Sequence, residues 1–324
     1  MRYCVAATLL VLALLFGLPW LTAEAPEVPG GEDPEEPPVS VDGEVVLKVW
    51  DGSAVQEMTV AEYLPGMVRG EMPASFEIEA LKAQAVAERT YLYYKLETGG
   101  KANHPGADVC MSPDCCTAYS SAEKSAERWG DKAEEYEQRI QTAVQETDGL
   151  VMLYNDEPIL AAFHSSSDGV TANSGDVWVK DLPYLTSVAS PETGDTVPNY
   201  YSVKTLTAQE FQETFTKAYP QAQFSDDPQQ WITEAVRNDS ARVETVNIGG
   251  VTVEGTEVRT LFGLRSASFT TEADAESVTF RVTGFGHGVG MSQYGANELA
   301  RQGKIWKEIL EWYYTGVSIE TYRP

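Results

Sequence analysis

Positive charge is what this chain has least of. Its 324 residues carry 23 Lys and Arg against 49 Asp and Glu, a net charge of −26, and the cations nowhere form a cluster. Binding phosphates needs such a cluster, so a nucleic-acid surface is excluded. Histidine is scarcer still. The three histidines include no pair with the His-Glu-x-x-His spacing of a helical zinc hydrolase. No Gly-x-Ser-x-Gly elbow is present either, which speaks against α/β-hydrolase chemistry. No strict repeat is found, and the short strands and helices alternate without a βαβ rhythm. The expected fold class is therefore α+β, mixed and arranged around a cleft, rather than a doubly wound sheet.

What is present allows a real core: 43% of residues are apolar and only 22% charged, enough for one large domain or two smaller ones. Met1-Arg2 precedes an uncharged apolar run from Tyr3 to Leu21, 19 residues, which barely spans a hydrocarbon core of about 30 Å. Ala23-Glu24-Ala25 offers a signal-peptide cleavage site, but Pro26 directly after it obstructs cleavage. The preferred reading is a retained single-pass anchor over 1–22, with the remainder outside the cytoplasm by charge asymmetry. Residues 23–43 are rich in proline and acid and read as an extended tether.

The folded part, 44–324, is expected to open with a β-hairpin. Val45, Leu47 and Val49 alternate, Asp51-Gly52 turns, and Val55 to Val60 returns. Thr59 with Glu62 makes a capping box for a short helix that Pro65 should limit or kink. Pro73 disfavours helix at Met72, so Glu71 is expected on a non-helical segment. A run of Ala, Leu, Lys, Gln and Glu then carries a helix of about five turns, with Ser75 as a candidate cap and Gly99 as its end. Ala80, Ala83 and Ala87 mark its packed face. Lys82 and Arg89 lie seven residues apart, two turns along one side, and could point cations toward Glu71; the alternative is a solvated charged face.

Three of the four cysteines fall within seven residues, in the pattern His104-x5-Cys110-x4-Cys115-Cys116. Thiolates plus one imidazole suit a closed, structural zinc site. A disulfide such as Cys110 to Cys116, with an odd thiol left over, is the competing reading.

Downstream, 132–146 reads as an amphipathic helix and Leu150 to Phe163 as a hairpin turning at Asn155-Asp156-Glu157-Pro158. Phe163 to Thr171 leaves the sheet as a hydroxyl-rich loop suited to sugar or carboxylate recognition. Thr207 with Glu210 forms a second capping box, and 200–275 is the candidate for a second subdomain. The last feature is Gly284-Phe285-Gly286-His287-Gly288-Val289-Gly290, whose glycines let the backbone approach a ligand or another strand closely before a helix starts at Ser292. Every histidine, His104, His164 and His287, sits in one of these polar segments.

Several of these strings occur together and in order. Gly70-Glu71-Met72-Pro73, Glu79 to Ala87, Arg89-Thr90-Tyr91, Phe163-His164-Ser165 and Gly286 to Ala296 resemble the stage II sporulation protein D family from about Val45 to the C terminus. The resemblance implies a peptidoglycan lytic transglycosylase that cuts glycan strands stripped of stem peptides during engulfment of the forespore. It implies Glu71 as the catalytic acid and zinc held by His104, Cys110, Cys115 and Cys116. It further implies a place in the mother-cell membrane facing the forespore, with stage II sporulation proteins P and M as partners. Two positions depart from the family pattern: Asp168 stands where Gly is usual, and Glu88 where Ala is usual.

The chemistry of such a reaction agrees with an isolated carboxylate. Glycoside hydrolases generally use two, whereas a transglycosylase whose nucleophile is the sugar's own 6-hydroxyl needs one acid that later serves as base. Ser165, Thr171, Tyr184, His287 and Gln293 are the polar groups expected around the glycan, with Lys82 and Arg89 ordering Glu71 or packing beneath it. Two other classes remain open. One is a zinc amidase with His104, His164 and His287 as ligands; the other is a noncatalytic glycan-binding scaffold of a cell-wall complex.

Overall fold

The computed structural model describes residues 40–99 and 103–324. The expected anchor, and the tether up to residue 39, lie outside the described residues. Among the described residues no helix is long and apolar enough to cross a membrane. Ser40 to Pro324 form a compact unit.

The chain enters through a helical turn, α1 (Val41–Glu44), where an extended tether was expected. Val41 and Asp42 are buried. Asp148 accepts hydrogen bonds from Ser40 Oγ, Val41 N and Asp42 N at 2.8, 2.7 and 3.0 Å, which offsets the ordering of this acidic stretch. The expected hairpin follows as β1 (Val46–Trp50) and β2 (Val55–Thr59), antiparallel.

Both halves of the Thr59–Glu62 capping box form and open α2 (Val60–Glu71). Pro65 sits inside this helix without ending it. It removes one backbone bond, and the burial of Tyr63, Leu64, Met67 and Val68 outweighs that loss. Met72 is the extended C-cap (φ −119°, ψ 138°), as a residue before proline should be. The central helix α3 (Ile78–Glu97) is packed by α2 and by several later elements. Ser75 does not cap it: the cap residue is Glu77, whose amide donates to Asn297 Oδ1 at 2.8 Å. Ala80, Ala83 and Ala87 are fully buried, so neighbouring backbones approach closely.

Short β3 (Val109–Cys110) adds in parallel to β1. Helices α4 (Ala122–Trp129) and α5 (Ala133–Gln145) follow, and β4 (Leu150–Tyr154) turns back tightly into β5 (Glu157–Pro158). Asn155 and Asp156, at φ 54° and 64°, make this a two-residue turn. The return strand is thus only two residues long, and 159–162 runs on irregularly instead of as the expected strand. Next comes β6 (Phe163–His164).

Residues 201–283 supply β7 (Tyr201–Thr207), α6 (Ala208–Ala218), β8 (Ile232–Arg237), β9 (Val243–Ile248), β10 (Val251–Glu254), α7 (Gly255–Phe262), β11 (Phe269–Ala273) and β12 (Ser277–Thr283). They form two three-stranded antiparallel sheets, β10-β9-β8 and β11-β12-β7. Phe211, Phe215, Phe262 and Phe280 lie at the heart of a hydrophobic cluster separate from the one around α3. The chain then returns through β13 (Met291–Ser292), α8 (Gln293–Arg301), α9 (Trp306–Tyr313) and β14 (Ser318–Thr321). β13 pairs in parallel with β6, and β14 pairs with β4. Helices α8 and α9 pack on α3, which brings the glycine-rich loop to the front of that helix.

Candidate active site

Glu71 is the last residue of α2, not a residue outside the helix. Its placement has two consequences. The negative end of the helix dipole disfavours an anion there, and burial pushes its carboxyl above the ordinary carboxylate range, with only the Ala118 amide opposing. That amide donates to Glu71 Oε1 at 2.7 Å, and among the described residues no donor meets Oε2. Gln293 Nε2 donates to the Glu71 carbonyl at 3.1 Å and so fixes the helix end from the opposite loop.

The Ala118 contact depends on two glycines of α2. A Cβ on Gly70 would lie 2.4 Å from the Ala118 carbonyl oxygen, and one on Gly66 would lie 2.0 Å from the Tyr119 ring. Each glycine weakens the helix by about 1 kcal/mol, yet both are needed for segment 117–120 to lie on it.

Three recesses meet at Glu71. The first, about 330 Å³, is lined by Tyr91, Leu160, Phe163, Trp178 and His287 among others. A second, about 300 Å³, has His164, Ser165, Phe285 and Gln293 in its wall. A third, about 380 Å³, lies beside Arg128, Trp129 and Tyr136. Together they make an open cleft in which Glu71 is the only carboxylate among the described residues.

His287 Nδ1 accepts from the Val289 amide at 3.0 Å, so its other nitrogen carries the proton. Burial, with Arg259 beside it, lowers its pKa to about 4, which leaves a neutral ring at neutral pH. Trp178 flanks it at 5.2 Å between ring centroids. His164 is buried beneath His287, 5.7 Å away, and is held neutral by burial and by that second imidazole.

The two loops are joined backbone to backbone. Met291 pairs with Phe163 and Ser292 with His164, and a bridge links Ser166 to Phe285. Gly290 (φ 71°) is required here: its Cβ would stand 2.0 Å from the Ala162 carbonyl oxygen. Gly290 thus serves strand contact, one of the two readings left open by the sequence, whereas Gly286 lines the recess beside His164. Glu192, which sequence reasoning missed, holds the assembly from behind. Its Oε1 accepts from Ser167 N at 2.7 Å, from Ser167 Oγ at 2.8 Å and from Ser292 Oγ, while Oε2 accepts from Ser190 Oγ.

Of the residues expected around a substrate, Ser165, His287 and Gln293 do converge on Glu71. Four do not. Lys82 is paired with Glu79 at 2.8 Å and Glu146 at 2.7 Å on the side of α3 that faces α5. Arg89 is fully buried, with Nε 2.9 and 3.0 Å and Nη2 2.7 Å from the Asp42 carboxylate. Its Nη atoms also reach the Leu150 and Val144 carbonyls. Thr171 is buried, its hydroxyl taken by the Thr186 and Val188 backbone. Tyr184 accepts from the Leu160 amide at 3.2 Å and holds that wall of the cleft from beneath. In each case a tertiary partner consumes the polar group.

The side chains at the two unusual positions are buried as well. Asp168 pairs with Arg242 at 3.2 Å. Glu88 lies behind Glu71 inside the protein; burial, reinforced by the Glu71 carboxylate, raises its pKa well above the ordinary value. Gln84 Nε2 donates to its Oε1 at 3.1 Å.

His104, Cys110 and Cys115 bring ligand atoms within 4.8 Å of one another. Cys116 Sγ lies 3.5 Å from Cys110 Sγ, near the roughly 3.8 Å that separates two sulfurs on a tetrahedral zinc ion. None of the three cysteines is bridged. His104 stacks on Trp50 with centroids 5.0 Å apart, which fixes its ring on the strand next to Cys110. Three sulfurs and an imidazole form a donor set that fits zinc. The three histidines do not gather into one set, so the amidase arrangement is not formed.

Comparison with known proteins gives concordant matches. The family model described as stage II sporulation protein matches residues 51–154. Stage II sporulation protein D of Bacillus subtilis (strain 168) is 36% identical over 267 residues, covering 82% of this chain and 76% of that protein. Its counterpart in Bacillus amyloliquefaciens is 37% identical, covering 82% and 75%. A protein named amidase enhancer, from Bacillus subtilis (strain 168), is 29% identical over 80% of this chain and 40% of its own length.

Proposed function

Because the chain belongs to the stage II sporulation protein D family, we propose that it acts on the cell wall in sporulation, as a lytic transglycosylase of stripped glycan strands. The observation that carries the enzymatic part is the single carboxylate of the cleft, Glu71, with its raised pKa.

Protonated Glu71 gives its proton to the glycosidic oxygen between a muramic residue and the next sugar as the C1–O bond breaks. The muramic 6-hydroxyl oxygen bonds to C1, and its proton passes to the Glu71 carboxylate, which restores the acid. The products are a 1,6-anhydro end and a free 4-hydroxyl, with no water consumed. A hydrolase would need a second carboxylate across the cleft, and none lines it among the described residues. Neutral His287 and Ser165 are placed to hydrogen-bond sugar hydroxyls, and Gln293 keeps the end of α2 in position.

Zinc on His104, Cys110, Cys115 and Cys116 would be structural, because four protein donors leave no position for water. These ligands lie on the segment that leads into Ala118, the residue whose amide orients Glu71. Residues 1–22 serve in this reading as the membrane anchor that keeps the enzyme outside the cytoplasm, with sporulation proteins P and M as its partners.

The test is mass spectrometry of products from stripped glycan incubated with wild type and Glu71→Gln. Wild type should yield 1,6-anhydro ends, and the variant should be slower by about 10²- to 10⁴-fold or more with an unchanged melting curve. Undiminished turnover in a folded variant would overturn the assignment. Binding without cleavage by wild type would favour a scaffold.

A further inference from the structure

The recess beside Trp129 shares only Glu71 with the two recesses lined by His287 and Gln293, so it extends the cleft in another direction from the acid. Its wall is unlike theirs. Trp129 and Tyr136, both half-buried, meet edge to face with centroids 5.7 Å apart at 86°. The Arg128 guanidinium lies 5.8 Å from the Trp129 ring centroid, and its Nη2 donates to the Arg69 carbonyl at 3.2 Å, which leaves its other N–H groups without a protein acceptor among the described residues.

Arg69, in the same wall, is committed to Glu137 at 3.0 Å and to the Ser120 carbonyl. Arg128 is not: among the described residues no carboxylate lies within 4.0 Å of it. An unpaired arginine is notable where acids outnumber bases 49 to 23. The helix that presents it contributes little else, since α4 buries only Ser125. Ser121 caps its start, and Gly130 at φ 57° turns the chain away directly after Trp129.

Aromatic faces are negative and take the polarised C–H faces of a sugar ring, while a guanidinium takes a carboxylate through paired hydrogen bonds. A muramic residue carries both features once its stem peptide is gone, because stripping leaves the lactyl group as a free carboxylate. With the peptide attached, that position is a neutral amide bearing a bulky chain. A protein of net charge −26 must hold a polyanionic strand against general repulsion, and a local cation in the groove meets that need.

We propose that Trp129, Tyr136 and Arg128 form a sugar subsite next to Glu71 that recognises the free lactyl carboxylate of a muramic residue and so selects stripped strands. The subsite rests on the reading of the cleft as a glycan-cutting site. Trp129 and Tyr136 supply affinity for any sugar, and Arg128 supplies the discrimination.

The experiment measures binding by the full chain carrying Glu71→Gln, which prevents turnover, to three probes: a stripped glycan oligosaccharide, the same oligosaccharide with its lactyl groups converted to amides, and a chitin oligomer. Adding Arg128→Gln should weaken the first complex by roughly 10- to 100-fold and leave the other two unchanged. Arg128→Lys should restore part of the loss, and Trp129→Ala should weaken all three. Equal losses on all three probes with Arg128→Gln, or no loss on the stripped probe, would overturn the proposal. Product analysis with the Glu71 protein separates the two readings. Anhydro ends formed with unchanged preference in Arg128→Gln defeat the subsite alone, and discrimination without any anhydro product defeats the transglycosylase reading alone.

Discussion

The contact between Arg89 and Asp42 decides whether a cation of the central helix serves the substrate or the fold. Both side chains are buried and pair through three contacts between 2.7 and 3.0 Å, and Arg89 also reaches two backbone carbonyls. Replacing Arg89 by Met leaves the Asp42 carboxylate without its counter-charge inside the protein, a change that costs about 3–5 kcal/mol. For a unit of this size, where 1 kcal/mol shifts the melting temperature by about 2 °C, the expected fall is about 6–10 °C. Asp42→Leu should cost a similar amount. The double variant, which exchanges the pair for apolar groups, should melt above either single one because no charge is stranded. Calorimetric melts of the four proteins, with cleavage assayed well below the lowest transition, complete the cycle. An Arg89→Met protein that melts within about 2 °C of wild type but has lost cleavage would refute the structural role and return Arg89 to the substrate.

Two further expectations concern Glu88 and the cysteines. The Glu88 carboxyl has a folded-state pKa raised above its ordinary 4.5, so its contribution to stability is full below that value and is lost as pH rises through the folded value. Melting temperatures of wild type and Glu88→Gln should therefore converge near pH 4.5 and separate, with wild type lower, toward alkaline pH; parallel curves would sink this reading. Cys110→Ser or chelation should lower zinc content and thermal stability first, and activity only as a result. Less than about half an equivalent of zinc in fresh protein, with two of these thiols oxidised, would establish the disulfide instead.

Features set by near neighbours in the sequence were the ones that could be read from it. The Thr59–Glu62 and Thr207–Glu210 boxes each span three residues, and both form. The alanine face of α3 and the α+β class follow from spacing and composition. Glu71 was legible as the isolated acid, but its place at a helix end was not: Pro73 keeps Met72 alone out of the helix, and the limit expected at Pro65 is outweighed by the buried side chains around it.

Lys82 and Arg89 show the limit of helical arithmetic. Their seven-residue spacing does put them on one side of α3, but that side faces Glu146 and Asp42, which sequence distance conceals. Thr171 and Tyr184 were legible as polar groups near the right loops, though not as groups already satisfied by backbone. Glu192 gave no short-range signal beyond Ser190 in its own turn, since its partners in the other two segments lie 25 and 100 residues away. Trp178 was within reach of sequence reasoning, as a large aromatic in the polar stretch 174–181.

Glu192 also constrains how this site can change over time. One carboxylate serves the hydroxyl-rich loop through Ser167, its own turn through Ser190 and the start of α8 through Ser292. A Cβ on Gly295 would fall 2.2 Å from the Tyr313 hydroxyl oxygen and 2.6 Å from Glu192 Oε2, so the space around the hub is filled as well. Inserting or deleting a residue in any of the three segments would shift its serine out of reach of a carboxylate that cannot follow. Changes in loop length, the usual currency of altered substrate range, are therefore closed to these three segments unless they change together, whereas the walls formed by 174–181 and by α4 carry no such tie to Glu192.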